Sequence, residues 1–120
     1  MSRASPVAPR RYQPDPALVG LAVQAIVREY QPQRIIVFGS FARGDTHELS
    51  DLDLIVVKET HERFFDRIGR VRDACRQLPV DVQPLVYTPA ELDDMVGRGN
   101  AFLETALAEG RVVYDAGEAA

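Results

Sequence analysis

The sequence predicts an α/β domain built on one small sheet. Short β-branched and aromatic runs alternate with stretches of helical periodicity, in the order α-β-(loop)-β-α-β-α-α-β. Proline or glycine stands at most of the boundaries between them. The 120 residues, 46% hydrophobic and 27% charged, suffice for one core and one domain.

Each element carries its own signature. Residues 1–14 hold Pro6, Pro9, Pro14 and three arginines without an acid, the composition of a flexible tail. The domain is expected over 15–116, with a short C-terminal tail at 117–120. Asp15-Pro16 starts a helix, with Asp as the cap and Pro at the first helical position. Leu18, Leu21, Ala22, Ala25, Ile26 and Tyr30 continue it at helical spacing over 16–30, and Pro32 stops it. The run RIIVF at 34–38 reads as a buried strand ended by Gly39-Ser40, and DLDLIVV at 51–57 reads as a second strand.

Residues 61–78 form an amphipathic helix with Phe64, Phe65, Ile68, Val71, Cys75 and Leu78 on one stripe. Arg63, Arg67 and Arg70 fall on its solvated face, where Asp66 and Arg70 make an i, i+4 pair. A third strand follows at 80–87, and Pro84 marks it as an edge strand or a bulged one. Thr88-Pro89-Ala90-Glu91 is a capping box that opens a helix near 89. Gly97 and Gly99 interrupt that helix, another runs from 100 to 109 toward a C-cap at Gly110, and 111–114 is a last short strand. Leu92, Met95, Phe102, Leu103, Ala106 and Leu107 are expected to be mostly core.

Composition narrows the classes of function. The net charge is −4, and without the three arginines of 1–14 the remainder stands at −7. An acidic domain does not grip nucleic acid by blanket neutralisation, and no direct sequence-specific nucleic-acid binding is expected. The single cysteine excludes an intramolecular disulfide framework and a cysteine-built zinc site. No apolar run approaches the ~20 residues that span a bilayer, and the N-terminus lacks a signal-peptide core, so a reduced cytoplasmic protein is expected.

The informative stretch is GSFARGDTHELSDLDL, residues 39–54. Glycine after a buried strand lets backbone N–H groups approach an anion, and the Ser40 hydroxyl can donate to a phosphate oxygen. A helical turn over 40–43 would point its N-terminus at the same anion. No GK[ST] follows, so this is not a Walker A loop, and a bare Gly-Ser pair can equally be a turn. Asp51 and Asp53 stand two apart at the start of a strand, which sends both side chains to one face. Two such carboxylates repel each other unless a cation compensates, and a hard divalent ion with oxygen ligands, Mg²⁺ above all, fits that need. The alternative is that Asp51 caps a turn with Ser50 while Asp53 is exposed. Asp81 interrupts the apolar stretch 78–82. With the third strand beside the second, its carboxylate would join the other two; otherwise it is an exposed edge residue. Three such carboxylates beside a phosphate-binding turn suit two-metal phosphoryl transfer, with ions ~3.5–4 Å apart.

At this point the sequence resembles a family. Gly39-Ser40, ten residues, then Asp51-Leu52-Asp53 matches the GSx₁₀DxD signature of polymerase-β-like nucleotidyltransferases. With Ala42, Arg43, Gly44, Ser50 and Leu54 added, the stretch is similar to the minimal nucleotidyltransferases of prokaryotes, and Asp81 matches the position of their third carboxylate. The resemblance implies a single polymerase-β-like domain, a small mixed sheet with helices packed mainly on one face. It implies that Gly39 and Ser40 hold the β- and γ-phosphates of ATP, that Asp51 and Asp53 bind two Mg²⁺ ions, and that Asp81 binds metal and activates an acceptor hydroxyl. Arg43 either counters phosphate charge or locks the loop onto a carboxylate, and Ser50 is a turn residue that orients Asp51.

Minimal members lack the acceptor-binding helical domain of larger ones and are paired with a helical HEPN protein. The resemblance therefore implies an antitoxin that transfers AMP from ATP to a tyrosine of a cognate HEPN toxin, in a hetero-oligomer with it. Two alternatives are a small-molecule enzyme of the aminoglycoside type and a non-catalytic antitoxin that acts by binding. His47 and His61 lack metal-ligand spacing, and Cys75 reads as a core residue.

Overall fold

A computed structural model of the chain describes residues 16–44 and 51–119. The tail expected at 1–14, the Asp15 cap, His47 and Ser50 lie outside the described residues. Helix α1 (Pro16–Tyr30) leads to strand β1 (Arg34–Phe38), the one-turn helix α2 (Ser40–Arg43) and strand β2 (Leu52–Val57). Helix α3 (Phe64–Ala74), strand β3 (Val82–Tyr87), helices α4 (Pro89–Gly97) and α5 (Ala101–Glu109), strand β4 (Arg111–Asp115) and the short α6 (Ala116–Ala119) complete the order. The helical turn at 40–43, which the sequence leaves open, forms as α2, and the capping box of α4, in which the Thr88 hydroxyl accepts from Glu91 N–H and Glu91 from Thr88 N–H, is as the sequence predicts.

The sheet runs β3-β2-β1-β4, with β1 antiparallel to both β2 and β4 and β2 parallel to β3. It is the expected small mixed sheet. Pro84 lies in β3 at an edge, where a missing N–H costs no ladder bond on the open side. Strand alternation sorts the side chains. Ile35, Val37, Leu52, Leu54, Val56, Val82 and Val86 pack with Ala22, Ala25 and Ile26 of α1 and Val71 of α3 in the larger core. Ile36, Ile55, Val57 and Tyr87 face the other way, toward Leu92 of α4 and Leu103 and Ala106 of α5. The two longest helices share one face as expected, and two shorter ones partly cover the second.

Helix α3 departs from expectation in three ways. It is shorter than 61–78, because Arg63 is its N-cap and Cys75 its C-cap. Phe65, expected on the apolar stripe, is 80% exposed, whereas Arg67, expected in solvent, is only 6% exposed. Arg67 hydrogen-bonds both Glu91 carboxylate oxygens (2.7 and 3.2 Å) and the carbonyls of Glu62 and Val86. Residues 64, 67 and 71 form the inward face, so Phe65 is rotated outward and a guanidinium hydrogen-bonded through all three nitrogens takes the buried place. Arg70 pairs with Glu62 (2.5 Å) rather than with Asp66. Cys75 is buried as expected, and burial pushes its thiol up to about 11.

Candidate active site

The site is assembled where β1 ends and β2 begins. Gly39 has φ 72 and ψ −149, a conformation reserved for glycine, and α2 starts directly after it. A β-carbon at 39 would stand 2.6 Å from Asp53 Oδ2. The turn is therefore packed directly on the carboxylate, and glycine is required twice over, by backbone angle and by space. Arg43 N–H donates to the Gly39 carbonyl (3.0 Å), and Gly44, at φ 78, closes the turn through its N–H to the Ser40 carbonyl (2.9 Å). Phe41 anchors the turn in the larger core.

Asp53 is half-buried on the second face of the sheet, on the side of Ile55 and Val57. Its register partners are Phe38 on β1 and Gln83 on β3, so Phe38, Asp53 and Gln83 form one row across three strands. Asp51 and Asp81 each stand one residue before a strand, and both are exposed. Leu52 N–H donates to the Asp81 carbonyl (2.8 Å), and Leu52 pairs with Val82, which aligns the two acids on adjacent chain segments. Leu52, Leu54 and Val56 point into the larger core, as expected.

Burial raises the Asp53 carboxyl above its ordinary value of 3.8, the negative charge of Asp51 raises it further, and the Arg43 guanidinium opposes both. Arg43 also makes an ion pair with Glu109 at the end of α5 (3.5 Å). Asp51 and Asp53 thus suit a hard divalent cation: both are oxygen donors, and their mutual repulsion is what such an ion relieves. Asp81 adds a third carboxylate at the neighbouring strand start. Among the described residues no three His, Cys, Asp or Glu groups stand close enough to hold an ion unaided. The protein groups share a side without closing a ligand set.

Three residues of this site were not singled out by sequence. Gln83 sits level with Asp53 because β3 is parallel and in register with β2, a relation no local signal encodes. Phe38 appears only as a strand residue until β1 and β2 are paired. Phe102, expected to be mostly core, is 51% exposed and meets Phe38 edge-on, with ring centroids 5.7 Å apart.

Residues 22–110 match the model of the nucleotidyltransferase domain. A Methanocaldococcus jannaschii protein named as a candidate protein adenylyltransferase is 32% identical over 96 residues, which covers 77% of this chain and 90% of that protein. A second protein of the same organism and designation is 36% identical over 63 residues, 48% of this chain and 43% of its own length. Among solved structures, a Sulfolobus solfataricus protein described as a candidate nucleotidyltransferase has a TM-score of 0.58 at 20% identity, covering 85% of this chain and 81% of that one. A toxin–antitoxin structure with AMP-PNP has a TM-score of 0.60 at 17% identity, covering 83% and 75%. A variant of the toxin–antitoxin pair MntA–HpeT has 0.57 at 16% identity, covering 84% and 75%. At these identities the solved structures share the fold.

Proposed function

The chain belongs to the nucleotidyltransferase domain family, and on that premise we propose that it transfers AMP from ATP to a hydroxyl of a partner protein, a tyrosine of a cognate HEPN toxin, and so acts as an antitoxin. The observation that carries this reading is the packing of the Gly39 turn directly on Asp53, so that phosphates received by this turn would lie beside that carboxylate. The designation of the Methanocaldococcus jannaschii relatives as protein adenylyltransferases and the toxin–antitoxin source of two structures with this fold support the choice of acceptor.

Gly39 and Ser40 receive the β- and γ-phosphates, by backbone N–H and hydroxyl donation. Arg43, one turn on, adds positive charge on the same side. Asp51, Asp53 and Asp81 would hold Mg²⁺. Bound there, magnesium would supply charge neutralisation for the phosphates during transfer. Asp81, at the outer strand, accepts the proton of the acceptor hydroxyl as its oxygen bonds to the α-phosphorus. The bond to the β-phosphate breaks, and pyrophosphate leaves on the Gly39 side.

The test uses ATP labelled at the α-phosphate, Mg²⁺ and the product of the neighbouring gene. Label is expected on the partner with the native chain and none with the D51N/D53N double variant. The reading is overturned if the native chain transfers nothing while D51N/D53N still neutralises the partner, which is the behaviour of a pure binder. Label appearing only on an added aminoglycoside would replace the protein acceptor with a small molecule.

A further inference from the structure

The row Phe38–Asp53–Gln83 divides the site into two unlike halves. On the β3 side lie Gln83 and, at the strand start, Asp81, both polar and next to an open sheet edge. On the β1 side lie the Gly39-Ser40 turn, Phe38 and, above Phe38, the half-exposed ring of Phe102. An acceptor hydroxyl and the leaving pyrophosphate stand on opposite sides of the phosphorus in an in-line transfer. The β1 side is thus the donor half.

Phe102 is not a stray surface residue. Its helix is held over β1 at both ends of the contact. Leu103 and Ala106 of α5 are buried against Ile36, and Glu109 pairs with Arg43 of the turn. Gly110 then passes so close that a β-carbon there would meet the Val37 carbonyl at 2.9 Å. With the neighbouring Leu103 fully buried, Phe102 keeps half its surface in water, beside the only other aromatic ring level with Asp53 among the described residues. Phe41 and Tyr30 are buried in the larger core. Phe64, Phe65 and Tyr87 cluster instead around the far end of β3, four residues beyond Gln83, or roughly 13 Å along the strand.

We propose that Phe102, braced edge-on by Phe38, is the platform on which the nucleobase of the donor triphosphate stacks. Resting on the donor assignment above, this makes Phe102 the residue that distinguishes a nucleotide from bare triphosphate. Perpendicular contact with Phe38 restrains the ring, and half of its surface stays open to a base, which aromatic stacking requires. Every base has a π-face, so the platform supplies affinity for a nucleoside without choosing among the four.

The experiment is calorimetric titration of the full chain with Mg-ATP and, separately, Mg-tripolyphosphate. The native chain is expected to bind ATP more tightly than tripolyphosphate. F102A and F102L should each weaken ATP about tenfold, the scale of losing one stacked base, and leave tripolyphosphate within about twofold. F102Y should restore ATP affinity. F102L keeps apolar bulk, so its loss separates stacking from simple cover. The proposal is overturned if F102A and F102L bind ATP as the native chain does, including the case where only transfer to the partner falls, which would put the ring on the acceptor. It is also overturned if both ligands weaken equally, the mark of a displaced α5. A native chain that binds neither ligand removes the donor assignment itself, and this proposal with it.

Discussion

Asp53 Oδ2 lies where the β-carbon of any residue other than glycine at position 39 would have to be, at 2.6 Å. The Gly39 turn and the half-buried carboxylate are therefore one structural unit, and altering either side alters both.

Substitution G39A tests that unit. Alanine would have to adopt φ 72, ψ −149, at a cost of about 1–3 kcal/mol, and would also push the carboxylate away. The expected result is a modest fall in Tm together with loss of nucleotidyl transfer of about 100-fold or more. An active, stable G39A would show that the turn and Asp53 are independent.

The Arg67–Glu91 pair is asymmetric: the arginine side chain is nearly buried and the glutamate is close to half-exposed. Removing Glu91 leaves an unpaired buried charge and breaks the capping box of α4, so E91A should cost about 3 kcal/mol. R67M frees a carboxylate that water can reach and should cost clearly less, about 1–2 kcal/mol. Hydrogen bonds from Arg67 hold Glu91 below its ordinary 4.5, against the opposing effect of burial. A lowered acid stabilises the fold above its unfolded value and ceases to as pH falls through the folded one. The gap between native and R67M, measured by urea unfolding, should therefore close on acidification below about 4.5. Equal costs for the two variants would contradict the asymmetry.

Tyr30 offers the opposite sign. Its hydroxyl donates to Glu62 Oε1 (3.0 Å), and burial first, then that hydrogen bond, push it up to about 12. A raised value gives stability that is complete below the unfolded value of 10.0 and is lost as pH rises toward 12. Y30F should be less stable than the native chain by about 1 kcal/mol at neutral pH. Thermal melts should show that difference shrinking above pH 10; a difference that stays constant through pH 12 would mean that folding does not raise the Tyr30 value.

Gly110 lies at the hinge from α5 into β4, where a β-carbon would meet the Ala106 carbonyl at 2.6 Å and Ile36 Cγ2 and the Val37 carbonyl at 2.9 Å. Two of the three are backbone atoms that cannot step aside. G110A should cost about 1–3 kcal/mol by overpacking. Because it moves the C-terminal end of α5, it should also weaken the Arg43–Glu109 ion pair (3.5 Å), seen as a loss of the extra cost of E109A in the G110A background.

Much of this molecule was legible from local chemistry. Periodicity placed α1 and a capping box placed the start of α4, because a cap or an apolar spacing acts within one turn of chain. The spacing from Gly39-Ser40 to Asp51-x-Asp53 carried the family resemblance, and period-2 alternation put Leu52, Leu54 and Val56 in the core. Strand pairing, by contrast, joins residues far apart in the chain, and no residue type signals its partner. Only the assembled sheet sets Phe38 and Gln83 on either side of Asp53. Only the packing of α3 against β3 and α4 turns Phe65 outward and draws Arg67 in to meet Glu91. Helical spacing marks a stripe, but which edge of the stripe is buried depends on what waits opposite, and here that was a carboxylate and two carbonyls rather than more apolar surface.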